Sequence, residues 1–92
     1  MSVNTVTVTI AGREFSLNST DSPESVQRTA ALVDRKMREL MAGGIANREA
    51  AAVLAALTYA DELIRAQDDN TRLRRELMQA RQEIDELKHQ IK

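Results

Sequence analysis

The sequence predicts an α+β fold: a small β-hairpin-plus-helix head followed by a long C-terminal coiled-coil helix. Three observations carry this. Val6, Val8 and Ile10 alternate with Thr5, Thr7 and Thr9, the period of a half-buried strand built from β-branched residues. Residues 47–91 contain neither Gly nor Pro and are rich in Ala, Leu, Glu, Gln and Arg, so they form one unbroken helix. Within that helix Leu63, Ala66, Asn70, Leu73, Leu77, Ala80, Ile84, Leu87 and Ile91 step alternately by 3 and 4, the signature of a coiled-coil seam.

The strand is followed by Gly12-Arg13 and a second run, Glu14 to Leu17. A two-residue turn with Gly first fits type II′ and pairs Ile10 with Phe15 and Val8 with Leu17. A turn at Ala11-Gly12 would instead pair Ile10 with Arg13, so Gly12-Arg13 is preferred. A lone hairpin is only marginally stable, and its apolar face is expected to pack on helices. Ser22-Pro23 reads as an N-cap and first helical residue, with Glu24 matching the helix dipole. The helix it starts runs to about Met41, presents Val26, Ala30, Val33, Met37 and Leu40 on one face, and ends at Gly43-Gly44. Asn47 caps the long helix, with Glu49 in its first turn.

Two domains follow, a head over residues 1–46 and a long helix over 47–92, with dimerisation at 47–64 and a coiled-coil stalk at 63–91. From Ala50 to Ala60 apolar groups run nearly all round the helix, so this part is buried on every side, against its own head and a partner chain. Tyr59, just beyond Leu57, is assigned to the same self-association. Leu63, Asn70, Leu77 and Ile84 take a positions, and Leu73 and Leu87 take d. Asp69, Glu76 and Glu83 at g face Arg74, Arg81 and Lys88 at e only when the pair is parallel. Asn70 can bond its own copy across such a seam. The expectation is a parallel homodimer. Ile64 and Met78, both at b, form a second, narrower strip suited to joining two dimers.

Composition bounds function. The 92 residues hold 13 basic and 14 acidic side chains, for a net charge of −1, with none of the basic excess of a nucleic-acid or anionic-membrane surface. There is no cysteine, hence no thiolate chemistry. No apolar run approaches the ~20 residues that span a membrane, and the N-terminus lacks the apolar core of a signal peptide. A cytoplasmic protein without membrane insertion is expected. The only histidine, His89, falls at position f, and no nucleophile–base pair, metal cluster or phosphate loop accompanies it. No enzyme activity, metal or cofactor is expected. A small coiled-coil nucleic-acid-binding regulator is the alternative, drawing on Arg28, Arg35, Lys36 and Arg38, with Asp34 and Glu39 among them.

The order of parts adds a resemblance. The hairpin end Ile10-Ala11-Gly12-Arg13, the helix stretch from Val33 to Leu40 (VDRKMREL), and the opening of the long helix, Ala52 to Leu57 (AVLAAL) with Asp61-Glu62-Leu63, together resemble the ZapA family of bacterial cell-division proteins. The motifs cover residues 3 to about 65 and are specific in combination. Thr58 departs, standing where the family usually has Asn. The resemblance implies a coiled-coil dimer, two of which associate antiparallel, and a non-enzymatic function: binding FtsZ, the tubulin-like GTPase of the division ring, and cross-linking its filaments at the division site. It also implies that Arg13, at the hairpin tip, and Glu49, at the start of the long helix, contact FtsZ.

Overall fold

Alternating β-branched residues build strand β1 (Asn4–Ile10), which pairs antiparallel with β2 (Arg13–Ser19). The computed structural model describes residues 2–91. Helices α1 (Pro23–Ala42) and α2 (Arg48–Gln90) follow. The chain divides into two compact units, Met1–Thr58 and Tyr59–Lys92.

The hairpin differs from expectation at its turn. The loop is Ala11-Gly12, and the register pairs Ile10 with Arg13, Val8 with Phe15 and Val6 with Leu17. Moving a two-residue turn by one position shifts each partner by two, so both registers keep the same apolar side chains on one face. Alternation therefore could not choose between them. Ala11 has φ 51° and Gly12 φ 80°, the pair of positive values a type I′ turn requires. Gly12 adopts this freely, whereas a left-handed Ala costs about 1–2 kcal/mol.

Both helices end as their residues direct. Ser22 Oγ accepts a hydrogen bond from the Ser25 amide, with Pro23 in the first turn of α1. At the other end the Ile45 amide reaches the Leu40 carbonyl and the Gly44 amide that of Met41, while Gly44 takes φ 115°. That is the Schellman arrangement, and it needs the glycine. Asn47 Oδ1 accepts from the Glu49 and Ala50 amides and so caps α2.

The predicted face of α1 is the one that is covered. Ala30 and Met37 are buried, and Val26, Val33 and Leu40 are half-buried. Val6 and Val8 of β1 pack with Ala30, while Met37 packs with Ala11 and with Ala51 and Ala55 of α2. Alanines at 51 and 55, one helical turn apart, let the α2 backbone come close. Phe15 and Leu17, expected to pack on helices with the rest of the hairpin face, stay 40% and 41% exposed. The helical cover falls on β1, and β2 contributes no buried residue.

In the second unit α2 continues as regular helix to Gln90. Thr58, which ends the first unit, donates its hydroxyl to the Leu54 carbonyl, and Thr71 does the same to Gln67. These back-bonds satisfy each hydroxyl within its own helix.

Candidate functional site

The hairpin tip is fixed by polar groups from two helices. The Ala11 amide donates to Asp34 Oδ1 of α1 at 2.8 Å. The Ala11 carbonyl accepts from Arg48 Nε of α2 at 3.1 Å. Asp34 is itself engaged by Arg38 Nη2, which lies 2.8 Å from Oδ2. An ionised partner roughly doubles the strength of a hydrogen bond, so both contacts offset the cost of the left-handed Ala11. Two charged side chains, 23 and 37 residues away in sequence, thus hold one backbone residue.

Arg13 opens β2 directly after this turn, and Glu49 stands in the first turn of α2 directly after Arg48. Both side chains line a single groove of about 690 Å³ within the first unit. Its apolar lining comes from Ile10, Phe15, Leu17, Val33, Met37 and Ala52, and its polar lining from Asn47, Arg13, Arg48 and Glu49. Arg13 and Glu49 are exposed, and among the described residues neither makes an ion pair. Two unpaired charges of opposite sign at an apolar groove can recognise a protein surface that offers the complementary charges. Glu49 also has a local reason to be there, since a carboxylate favours a helix N-terminus.

The predicted seam residues Leu63, Asn70, Leu73, Leu77, Ile84 and Leu87 are all exposed on α2, as are Ile64 and Met78 of the neighbouring strip. Tyr59 is half-buried. Exposed ion pairs run along this part of the helix, Arg65 with Asp61 and Arg72 with both Asp69 and Glu76. His89 is exposed in the last turn. Among the described residues no group of three or more His, Cys, Asp or Glu side chains could hold a metal ion, and no helix is long and apolar enough to cross a membrane.

Sequence reasoning passed over Asp34 and Arg48. In the sequence Asp34 stands out only within the VDRKMREL stretch and as an acid among arginines. A usable signal was present: Asp34 lies between Val33 and Met37 of the apolar face, one turn beyond Ala30 and one turn before Arg38, and a carboxylate at the margin of a buried stripe needs a donor.

The family model described as cell division protein ZapA matches residues 6–91. Among solved structures, the ZapA mutant dimer from Geobacillus stearothermophilus superposes with a TM-score of 0.68 at 29% identity, covering 84% of this chain and 91% of that one. A structure described as an unknown conserved bacterial protein from Pseudomonas aeruginosa PAO1 gives a TM-score of 0.65 at 30% identity, with 96% of each chain covered. No curated protein sequence gives a match.

Proposed function

The chain belongs to the ZapA family of cell division proteins, and on that premise we propose that it is a non-enzymatic cytoplasmic protein that binds FtsZ and cross-links its filaments at the division site. The observation that supports this best is the groove of the first unit, which is lined by both Arg13 and Glu49, 36 residues apart in sequence (49 less 13). Those are the two positions that the family resemblance assigns to FtsZ contact, and both are exposed, with no ion pair among the described residues.

Cross-linking needs more than one such groove in a particle. The exposed heptad stripe from Leu63 to Leu87 supplies the means, pairing two chains in parallel, and the Ile64–Met78 strip joins two dimers. The Geobacillus neighbour is itself a dimer. Each groove then binds weakly, while several on one assembly gain avidity of ~10²–10⁴.

Co-sedimentation with polymerised FtsZ at physiological salt tests the proposal. The protein is expected to pellet with the filaments and to thicken them into bundles. Arg13→Glu is expected to weaken pelleting while helicity and oligomeric state hold, because the Arg13 side chain is exposed on a strand with no buried residue. Pelleting of Arg13→Glu at the wild-type level would remove the hairpin tip from the binding surface.

A further inference from the structure

Arg13 belongs to a strand with no buried residue. Its position is therefore inherited from two sources, the ladder to β1 and the turn that precedes it. The ladder fixes Arg13 opposite Ile10 but leaves a two-stranded ribbon free to twist. The turn fixes the ribbon's end against the helices, through Ala11. Its methyl group is buried with Met37, Ala51 and Ala55, its amide is held by Asp34, and its carbonyl is held by Arg48.

The residue so held is conformationally unfavourable. Asn, Asp or Gly is the usual first residue of a type I′ turn, whereas this turn has Ala at φ 51°. A strained position persists only where its surroundings over-determine it, and here the determinants are two charged side chains on different helices. One of them, Arg48, is the immediate neighbour of Glu49. A single backbone residue therefore links the segment that carries Arg13 to the segment that carries Glu49.

We propose that Asp34 and Arg48 are positioning residues of the FtsZ-binding groove: by clamping the Ala11-Gly12 turn they set where Arg13 stands relative to Glu49. This rests on the function proposed above. The clamp acts by preorganisation, since a tip already held in place loses less freedom on binding. Asp34 has a side chain 20% exposed and is absent from the groove lining, so its influence on binding passes through the turn.

The test combines FtsZ co-sedimentation with hydrogen exchange at the Ala11 amide, using the full chain. Asp34→Ala removes the acceptor. It is expected to speed Ala11 exchange and to weaken filament binding roughly tenfold, the worth of one charge-assisted hydrogen bond. Helicity and oligomeric state are expected to match wild type. Asp34→Asn keeps an oxygen in place of Oδ1 while losing the charge that pairs with Arg38, and is expected to bind within about threefold of wild type. Ala11→Gly added to Asp34→Ala removes the buried methyl group as well as the acceptor, leaving only the Arg48 hold on a freer backbone. Binding is then expected to fall further with exchange at residue 11 faster still, whereas a direct contact of Asp34 with the filament predicts no added loss.

Wild-type pelleting by Asp34→Ala, alongside impaired pelleting by Arg13→Glu, overturns the positioning role and leaves the binding function standing. So does binding by the Asp34→Ala, Ala11→Gly double variant that is no weaker than that of Asp34→Ala alone. Normal pelleting by Arg13→Glu overturns the tip's role in binding, and the positioning role with it. If Asp34→Ala loses helicity, Asp34→Asn decides: normal helicity with unchanged Ala11 exchange and a tenfold loss of binding counts against the clamp.

Discussion

Two apolar stripes of nearly the same spacing meet opposite fates in this chain. On α1, Val26, Ala30, Val33, Met37 and Leu40 step by 4 and 3, and every one is buried or half-buried against β1 or the start of α2. On α2, Leu63, Leu73, Leu77, Ile84 and Leu87 fall on the same kind of repeat, and every one is more than half exposed. Full burial of such a side chain stabilises by about 1.5–3 kcal/mol. The first stripe realises that gain within one chain. The second leaves it unrealised within one chain. Periodicity states that a face needs cover, and only the remaining sequence decides whether the cover is internal.

Breaking the second stripe gives the largest expected effect. Leu73→Ala and Leu77→Ala together are expected to cost about 2–5 kcal/mol per site once the seam is formed. Sedimentation would show loss of assembly, while hydrogen exchange at Val8 and Met37 stays slow because the core of the first unit lies elsewhere. An unchanged oligomer would mean that the stripe is not the seam. Breaking the first stripe is the converse experiment. Met37, 3% exposed, shares one buried cluster with Ala11, Ala51 and Ala55, and Met37→Ala is expected to cost about 2–5 kcal/mol. That loss is expected at the first unit, seen as fast exchange in β1 and α1, with helical association of residues 63–91 retained.

A smaller effect sharpens how the second stripe finds its partner. Asp69 and Glu76 each pair with Arg72 of their own helix in the single chain. A parallel dimer offers the same acids Arg74 and Arg81 of the other chain. Exposed pairs contribute only ~0.3–0.5 kcal/mol each, but an antiparallel pair would set acid against acid, so the sum fixes direction. A cysteine in place of Leu87 is expected to cross-link readily to its own copy under mild oxidation. Linking instead to a cysteine introduced at Leu63 would reverse the assignment.

The same contrast marks how far the sequence could be read. The fold class, the four elements, the caps at Ser22 and Asn47 and the covered face of α1 all follow from local chemistry, which acts within a few residues. The turn did not, because the two candidate registers share a face and differ only in long-range contacts to Ala11. Asp34 and Arg48 make those contacts across 23 and 37 residues, beyond the reach of any periodicity. The exposure of Phe15 and Leu17 escaped for a related reason: alternation gives the apolar face of a hairpin but not which strand a helix crosses. Arg13 and Glu49 came from the family resemblance, and the groove that joins them depends on the tertiary fold.

The smallest expected effect lies beside the second stripe. Ile64 and Met78 occupy b positions, 57% and 65% exposed, with Thr71 between them. Thr71 donates its hydroxyl to the Gln67 carbonyl within its own helix, and the strip carries no charge between its two apolar residues. Single exposed apolar residues are ordinary on a protein surface. Two large ones on either side of Thr71 form a band that a second dimer could cover. The area is narrow, so such a contact is expected to be weak and to answer to concentration by mass action. Ile64→Glu with Met78→Glu is expected to hold the protein as a dimer, because like charges then face each other across the band while the a and d residues are untouched. Analytical ultracentrifugation over a hundredfold concentration range reads the result. The wild type is expected to shift from dimer to tetramer across that range and the double variant is not. FtsZ pelleting is expected to persist in part, since each groove is intact, and bundling to fall because fewer grooves share one particle. A double variant with the wild-type midpoint would assign the dimer–dimer contact to another face of α2 or to the first unit.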